Sequence, residues 1–159
     1  MPPEPAWSVR IALPDEAATV HLGRALAARL RPGDTIGLSG GLGAGKTTLA
    51  RAIIRALAID PALEAPSPTF TLVQPYDETA IPVRHFDLYR IRGAGDLAEL
   101  GFDEGADADV RLVEWPERAP GMLGPGALAV ALEFEKGSRV AVFSGASGWR
   151  QRLAGLPGV

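Results

Sequence analysis

The sequence predicts an α/β protein of three layers, a mixed parallel and antiparallel sheet flanked by helices. Three observations predict it. Short apolar runs containing β-branched residues alternate with amphipathic helical stretches along the chain. One such run, Asp34-Thr35-Ile36-Gly37-Leu38, leads through a glycine-rich loop straight into a helical stretch, as a buried strand of a parallel sheet does. Two further pairs of runs are separated by short turn segments, which is hairpin spacing and makes the sheet mixed. The loop is Gly40-Gly41-Leu42-Gly43-Ala44-Gly45-Lys46-Thr47, and it fits G-x-x-x-x-G-K-[ST] at every fixed position. The expected architecture is therefore P-loop NTPase-like, in one domain spanning residues 1–159.

The elements follow in chain order. Trp7 to Leu13 reads as a first strand. Pro14-Asp15-Glu16 is a helix start, with Asp15 as cap or first-turn acid. Ala18, Leu22, Ala25, Leu26 and Leu30 give that helix an apolar face, and Arg31-Pro32-Gly33-Asp34 turns the chain into the P-loop strand. After the loop, Ala50, Ile53, Ile54 and Leu57 fall at i, i+3, i+4 and i+7, one face of a helix, with Arg51 and Arg55 on another. Phe70 to Val73 reads as a strand, Pro75 to Thr79 as a turn, and Ile81 to Asp87 as a strand pairing back on the first. Asp96 to Leu100 is a short helix. Val110 to Val113 is a buried strand ending at Glu114. Leu128 to Phe134 and Arg139 to Phe143 form a hairpin around Lys136-Gly137-Ser138, and Trp149 to Leu153 is a last short helix.

The loop's chemistry follows from its residues. Glycines let backbone N–H groups turn inward around a polyphosphate, and the helix N-terminus beneath adds positive partial charge. Lys46 reaches the β- and γ-phosphates and Thr47 offers a hydroxyl to Mg²⁺. Lys46 is one of two lysines in a chain with fourteen arginines. A compact ammonium has been kept where a phosphate must be met. Such a site also needs an acid at the end of an apolar strand. Asp87 ends His85-Phe86-Asp87 and Glu114 ends Leu112-Val113-Glu114. Each also has the ordinary reading of a charged residue leaving the sheet for water. Ser67-Pro68-Thr69 lies where a γ-phosphate-sensing loop would, and equally reads as a turn before a strand. The chain has no Asn, so the Asn-Lys-x-Asp motif that reads guanine in GTPases is absent and ATP is the expected nucleotide.

Composition excludes several classes. There is no cysteine, hence no disulfide, thiol catalysis or cysteine-based zinc site. Two histidines are too few for a His-rich metal site. A formal charge of −3 argues against a broad nucleic-acid-binding surface. The first ten residues do not resemble a signal peptide. No stretch approaches the roughly 20 apolar residues that span a bilayer. A soluble cytoplasmic protein without membrane contact is expected.

Taken together, five blocks resemble the TsaE (formerly YjeE) family. They are Gly43-Ala44-Gly45-Lys46-Thr47-Thr48, Ser67-Pro68-Thr69-Phe70-Thr71-Leu72-Val73, His85-Phe86-Asp87-Leu88-Tyr89-Arg90, Glu99-Leu100-Gly101 and Val113-Glu114-Trp115-Pro116. Their order and spacing match from about Leu13 to Phe134. The P-loop alone is shared by many proteins, whereas the other blocks together are specific. The resemblance implies a small, weak Mg²⁺-dependent ATPase needed for the threonylcarbamoyl modification of tRNA adenosine beside the anticodon. It implies a TsaB–TsaD heterodimer as partner, with tRNA met only through that complex. It implies that Gly41, Leu42, Gly43, Ala44, Gly45, Lys46, Thr47 and Thr48 bind the nucleotide, and that Thr47 holds Mg²⁺ with Glu114 and Asp87 as the acids at the metal, either of which could be its direct ligand. Asp87 would be a catalytic or water-positioning acid, Thr69 part of a switch loop, and Asp15 and Glu16 neighbours of the adenine. Gly41 and Gln74 stand where family members usually carry acids. Two other functions fit the P-loop: a small-molecule kinase, with Arg90 and Arg92 beside Gly93 and Gly95 as a lid, or a nucleotide-gated binding module.

Overall fold

The structure, a computed structural model, describes residues 7–60, 62–68, 71–92, 94–156 and 158–159. The chain runs β1 (Trp7–Leu13), α1 (Glu16–Ala27), β2 (Thr35–Ser39), α2 (Lys46–Leu57), β3 (Val73–Tyr76) and β4 (Val83–Asp87). It continues through α3 (Ala94–Glu99), β5 (Val110–Glu114), a 3₁₀ turn (Pro116–Arg118), β6 (Leu128–Glu135), β7 (Ser138–Gly145) and α4 (Ser147–Arg152). The strands form one sheet in the order β1-β7-β6-β2-β5-β4-β3. β2 lies parallel to both β5 and β6, and β4 parallel to β5. β3 and β7 run against their neighbours. The mixed sheet expected from the two hairpins is present.

Side-chain alternation divides the core between the two faces of the sheet. Val83, Val110 and Leu112 pack with α1 and α2, together with Ile36 and Leu38 of β2. Phe86 and Val113 point the other way, onto Leu88, Ile91, Leu97 and Phe102. β2 is buried along almost its whole length, as a central strand covered on both faces must be. α2 buries Leu49, Ile53 and Ile54 completely, worth about 1.5–3 kcal/mol each. α1 and α2 meet closely at Gly23. A Cβ there would sit 2.5 Å from the Ala52 Cβ.

Several boundaries differ from those read in the sequence. Of the run Phe70 to Val73, Phe70 lies outside the described residues, and of the rest only Val73 enters a strand. Leu72 turns with φ +66°, donating its N–H to Pro68 O at 2.6 Å and accepting from Asp87 N at 2.9 Å. β3 then runs on through Pro75, placed in the sequence reading in a turn. An edge strand tolerates proline because one side of its backbone needs no donor. β4 starts at Val83 rather than Ile81, since Pro82 has no N–H to enter the ladder. α3 and α4 each begin two residues before their expected starts and end one residue before their expected ends, because the ends of short helices fray.

α4 is tied to the body of the fold. Arg152 Nη1 donates to Asp34 Oδ1 at 2.9 Å and Nη2 to Arg29 O at 2.8 Å, while Trp149 Nε1 donates to Gly126 O at 2.9 Å. No helix among the described residues is long and apolar enough to cross a membrane.

Candidate active site

The site forms where β2 gives way to α2. Gly40, Gly43 and Gly45 hold φ values of +137°, +77° and +105°, a region that side chains disfavour. At Gly40 a Cβ would also meet Leu132 O at 2.5 Å. Gly41 and Gly43 face open space, with nothing within 4 Å of the Cβ position. The Ala44 N–H closes the loop on Gly41 O at 3.1 Å, and the first helical link of α2 is Leu49 N to Gly45 O. The N–H groups of Lys46, Thr47 and Thr48 therefore have no intrahelical acceptor. Together with the helix dipole they make an anion cradle.

Lys46 is only 5% exposed. Its Nζ donates to Gly40 O at 2.7 Å and Gly41 O at 2.9 Å, and lies 4.2 Å from the centre of the Trp115 ring. Burial pulls its pKa below the ordinary lysine value, against the opposing fields of Glu114, Glu117 and Asp87. Trp115 reaches that position because the chain turns into the left-handed region directly after β5, with φ +59°. The ring rests against Tyr89, centroids 4.9 Å apart.

The two acids come from adjacent parallel strands. Asp87 and Glu114 are register partners of β4 and β5, so their side chains share the face toward α2. Both are buried. Thr47 Oγ1 donates to Glu114 Oε1 at 2.8 Å, and His85 Nε2 lies 2.7 Å from Glu114 Oε2. Asp87 Oδ1 accepts the Tyr89 N–H at 3.0 Å. A cavity of about 270 Å³ joins Lys46, Thr47, Thr48, Asp87, Glu114 and Trp115 with the loop residues Leu42, Gly43 and Gly45.

The sequence-derived residues thus meet in one place, with three qualifications. Glu16 lines this cavity, whereas Asp15 caps α1 through the Ala18 N–H at 2.8 Å and borders an adjacent apolar cavity of about 340 Å³. Thr69 lies outside the described residues. Gly41 and Ala44 shape the loop and do not line the cavity. Two residues with no assigned role enter the site. Arg139 of β7 lines the cavity and donates from Nη2 to Gly43 O at 2.9 Å, a contact across 96 residues that no local pattern announces. His85 stands behind Glu114, and its spacing of two from Asp87 on a strand was the available signal.

The Thr47 hydroxyl and the Glu114 carboxylate beside it are hard oxygen ligands, the kind a magnesium ion takes. Among the described residues, no group of three or more His, Cys, Asp or Glu side chains could hold a metal ion. A cation here would share its coordination with phosphate oxygens and water.

Residues 13–141 match the family model described as threonylcarbamoyl adenosine biosynthesis protein TsaE. Three proteins named tRNA threonylcarbamoyladenosine biosynthesis protein TsaE are similar along most of their length. The one from Rickettsia felis is 38% identical over 121 residues, covering 76% of this chain and 70% of its own. The Synechocystis protein is 42% identical over 117 residues, covering 71% and 73%. The Haemophilus influenzae protein is 32% identical over 133 residues, covering 80% and 83%. In three dimensions the crystal structure of Bacillus YdiB matches with a TM-score of 0.75 at 25% identity, over 92% of this chain and 91% of that one.

Proposed function

The chain belongs to the TsaE family, and from that premise we propose that it is an ATP-hydrolysing subunit of the machinery that makes threonylcarbamoyladenosine on tRNA. One observation carries the hydrolytic part of this reading. The glycine cradle, Lys46, the Thr47–Glu114 pair and Asp87 converge on a single cavity at the N-terminus of α2.

The residues divide the work. The N–H groups of Lys46, Thr47 and Thr48 bind the phosphates at the helix N-terminus. The Lys46 ammonium exchanges its two loop carbonyls for phosphate oxygens and meets the charge that builds on them. Asp87 orients the attacking water and accepts its proton as the new bond to the γ-phosphorus forms and the bridging bond to the β-phosphate breaks. Thr47 and Glu114 hold Mg²⁺, which when bound neutralises phosphate charge. Asp15 and Glu16 are the proposed neighbours of the adenine, one from the apolar cavity and one from the rim of the phosphate cavity. Thr69 is assigned to the switch loop on the family pattern.

The proposed partner is a TsaB–TsaD-like heterodimer, with hydrolysis supporting its repeated turnover and tRNA met through that pair. The net charge of −3 supports indirect contact with RNA. The decisive experiment measures ATP hydrolysis and successive rounds of tRNA modification with and without the TsaB–TsaD pair. Lys46→Ala is expected to weaken ADP binding about 10- to 100-fold, the worth of charged hydrogen bonds of roughly 1.5–3 kcal/mol, and to stop both activities. Unchanged binding and turnover in that variant would sink the assignment. Label from γ-phosphate recovered on a metabolite, and not as inorganic phosphate, would make the protein a kinase instead.

A further inference from the structure

His85 is buried, does not line the cavity and has no part in the reaction outlined above. Its place in the sheet is nevertheless specific. On β4, His85 and Asp87 share one face, and Asp87 is the register partner of Glu114 on β5. His85 therefore sits one step further from the cavity mouth, beneath the Glu114 carboxylate. The carboxylate is held from both sides: Oε1 accepts Thr47 Oγ1–H at 2.8 Å, and Oε2 lies 2.7 Å from His85 Nε2.

The protonation pattern follows from the surroundings. His85 Nδ1 is buried without a hydrogen-bond partner among the described residues. A proton there would be an orphaned donor, which folded proteins avoid. The imidazole therefore carries its proton on Nε2 and donates it to Glu114. A carboxylate with one donor can still turn about its last torsion. With a donor on each oxygen its plane is set, and so is the direction in which Thr47 gives its own proton. That leaves the Thr47 oxygen lone pairs facing the cavity.

We propose that His85 is a positioning residue that fixes Glu114, and through it the Thr47 hydroxyl, for a divalent cation bound together with the nucleotide phosphates. This rests on the nucleotide-phosphate reading of the cavity. It places the residue behind the cation's ligands, where a histidine–carboxylate contact orients them.

The test compares three substitutions in the full-length protein, using ADP as probe and calorimetry as readout, with Mg²⁺ titrated and with chelator present. His85→Gln carries an amide N–H near the Nε2 position. His85→Asn is too short to reach there, and His85→Leu fills the space without a donor. Leu and Asn are expected to raise the Mg²⁺ concentration needed to tighten ADP binding about 10- to 100-fold. Metal-free ADP affinity should stay within about twofold, and Gln within about threefold of the parent in both. If Leu does not fold, the contrast of Asn with Gln decides. An unchanged Mg²⁺ requirement in Leu or Asn overturns the proposal, as does an equal loss with and without metal. Glu114→Gln serves as the reference. A shifted Mg²⁺ requirement there, with none at His85, defeats the role of His85 alone. No shift in either defeats the cation reading as well.

Discussion

The contact between α1 and α2 supports a sharp prediction, because the same chemical change should act with opposite sign at two glycines. At Gly23 an added Cβ meets the Ala52 Cβ at 2.5 Å, Leu49 O at 3.2 Å and Ile53 N at 3.3 Å. Carbon atoms rest about 3.5–4.0 Å apart. The helices must therefore separate by roughly 1 Å, since a methyl group and two backbone atoms have no rotamer to yield. Overpacking of this kind costs about 1–3 kcal/mol, here toward the upper end. Alanine returns roughly 1 kcal/mol through helix propensity. The net loss for Gly23→Ala is about 1–2 kcal/mol, or a melting temperature lower by roughly 2–8 °C for a chain of this size. Gly148, on α4, has nothing within 4 Å of its Cβ position. Gly148→Ala keeps only the propensity term and should gain up to about 1 kcal/mol. Scanning calorimetry of both variants, and of Gly23→Ala combined with Ala52→Gly, measures the sign and the coupling. A melting temperature for Gly23→Ala at or above the parent, or no relief in the double variant, would refute the close packing.

Two further outcomes follow from charged groups. Arg152→Ala removes both bonds to Asp34 and one to Arg29 O from a mostly buried pair, so stability should fall by about 2–4 kcal/mol without a change in ADP affinity; denaturant titration and calorimetry of ADP binding check the two halves. Lys46 has a folded-state pKa below its ordinary 10.5, so over the window between the two values the unfolded chain binds more protons and stability rises with pH. The penalty is in full force below that window. The nucleotide-free Lys46→Met variant should therefore melt above the parent near neutral pH, with the gap closing as pH approaches about 10.5. Thermal melts across that range that show a constant or widening gap would contradict it.

Legibility in the sequence followed the range of the interactions. β2, the loop and α2 are contiguous, and glycine spacing, an apolar run and a 3.6-residue period are local signals. Asp87 and Glu114 were readable for the same reason, each closing an apolar run. The β3 boundary was not, because Leu72 takes a left-handed turn under a tertiary constraint, its carbonyl holding the Asp87 N–H. Arg139 arrives on the β6–β7 hairpin, whose place beside β2 depends on parallel pairing across the sheet. The sequence held His85 in a recognised block but could not say that it underlies Glu114. That relation belongs to the register between β4 and β5.

Register is where fold and site become one problem. Slipping β4 by one residue against β5 would turn His85 and Asp87 to the opposite face, away from α2. The loss would be double, since Phe86 would leave its packing with Phe102, whose ring centre lies 5.1 Å away. The apolar face thus enforces the alignment that the polar face needs. The loop is held in the same way. Lys46 already has two carbonyl partners and an aromatic ring, and Thr47 already has Glu114, so both side chains are held within the protein itself. On the function proposed above, nucleotide binding would exchange one set of partners for another and would not have to order a loose loop. The cost that remains is carried by Lys46, buried at the expense of its charge. On the proposed function it would be recovered when a phosphate of opposite sign takes the place of the two loop carbonyls.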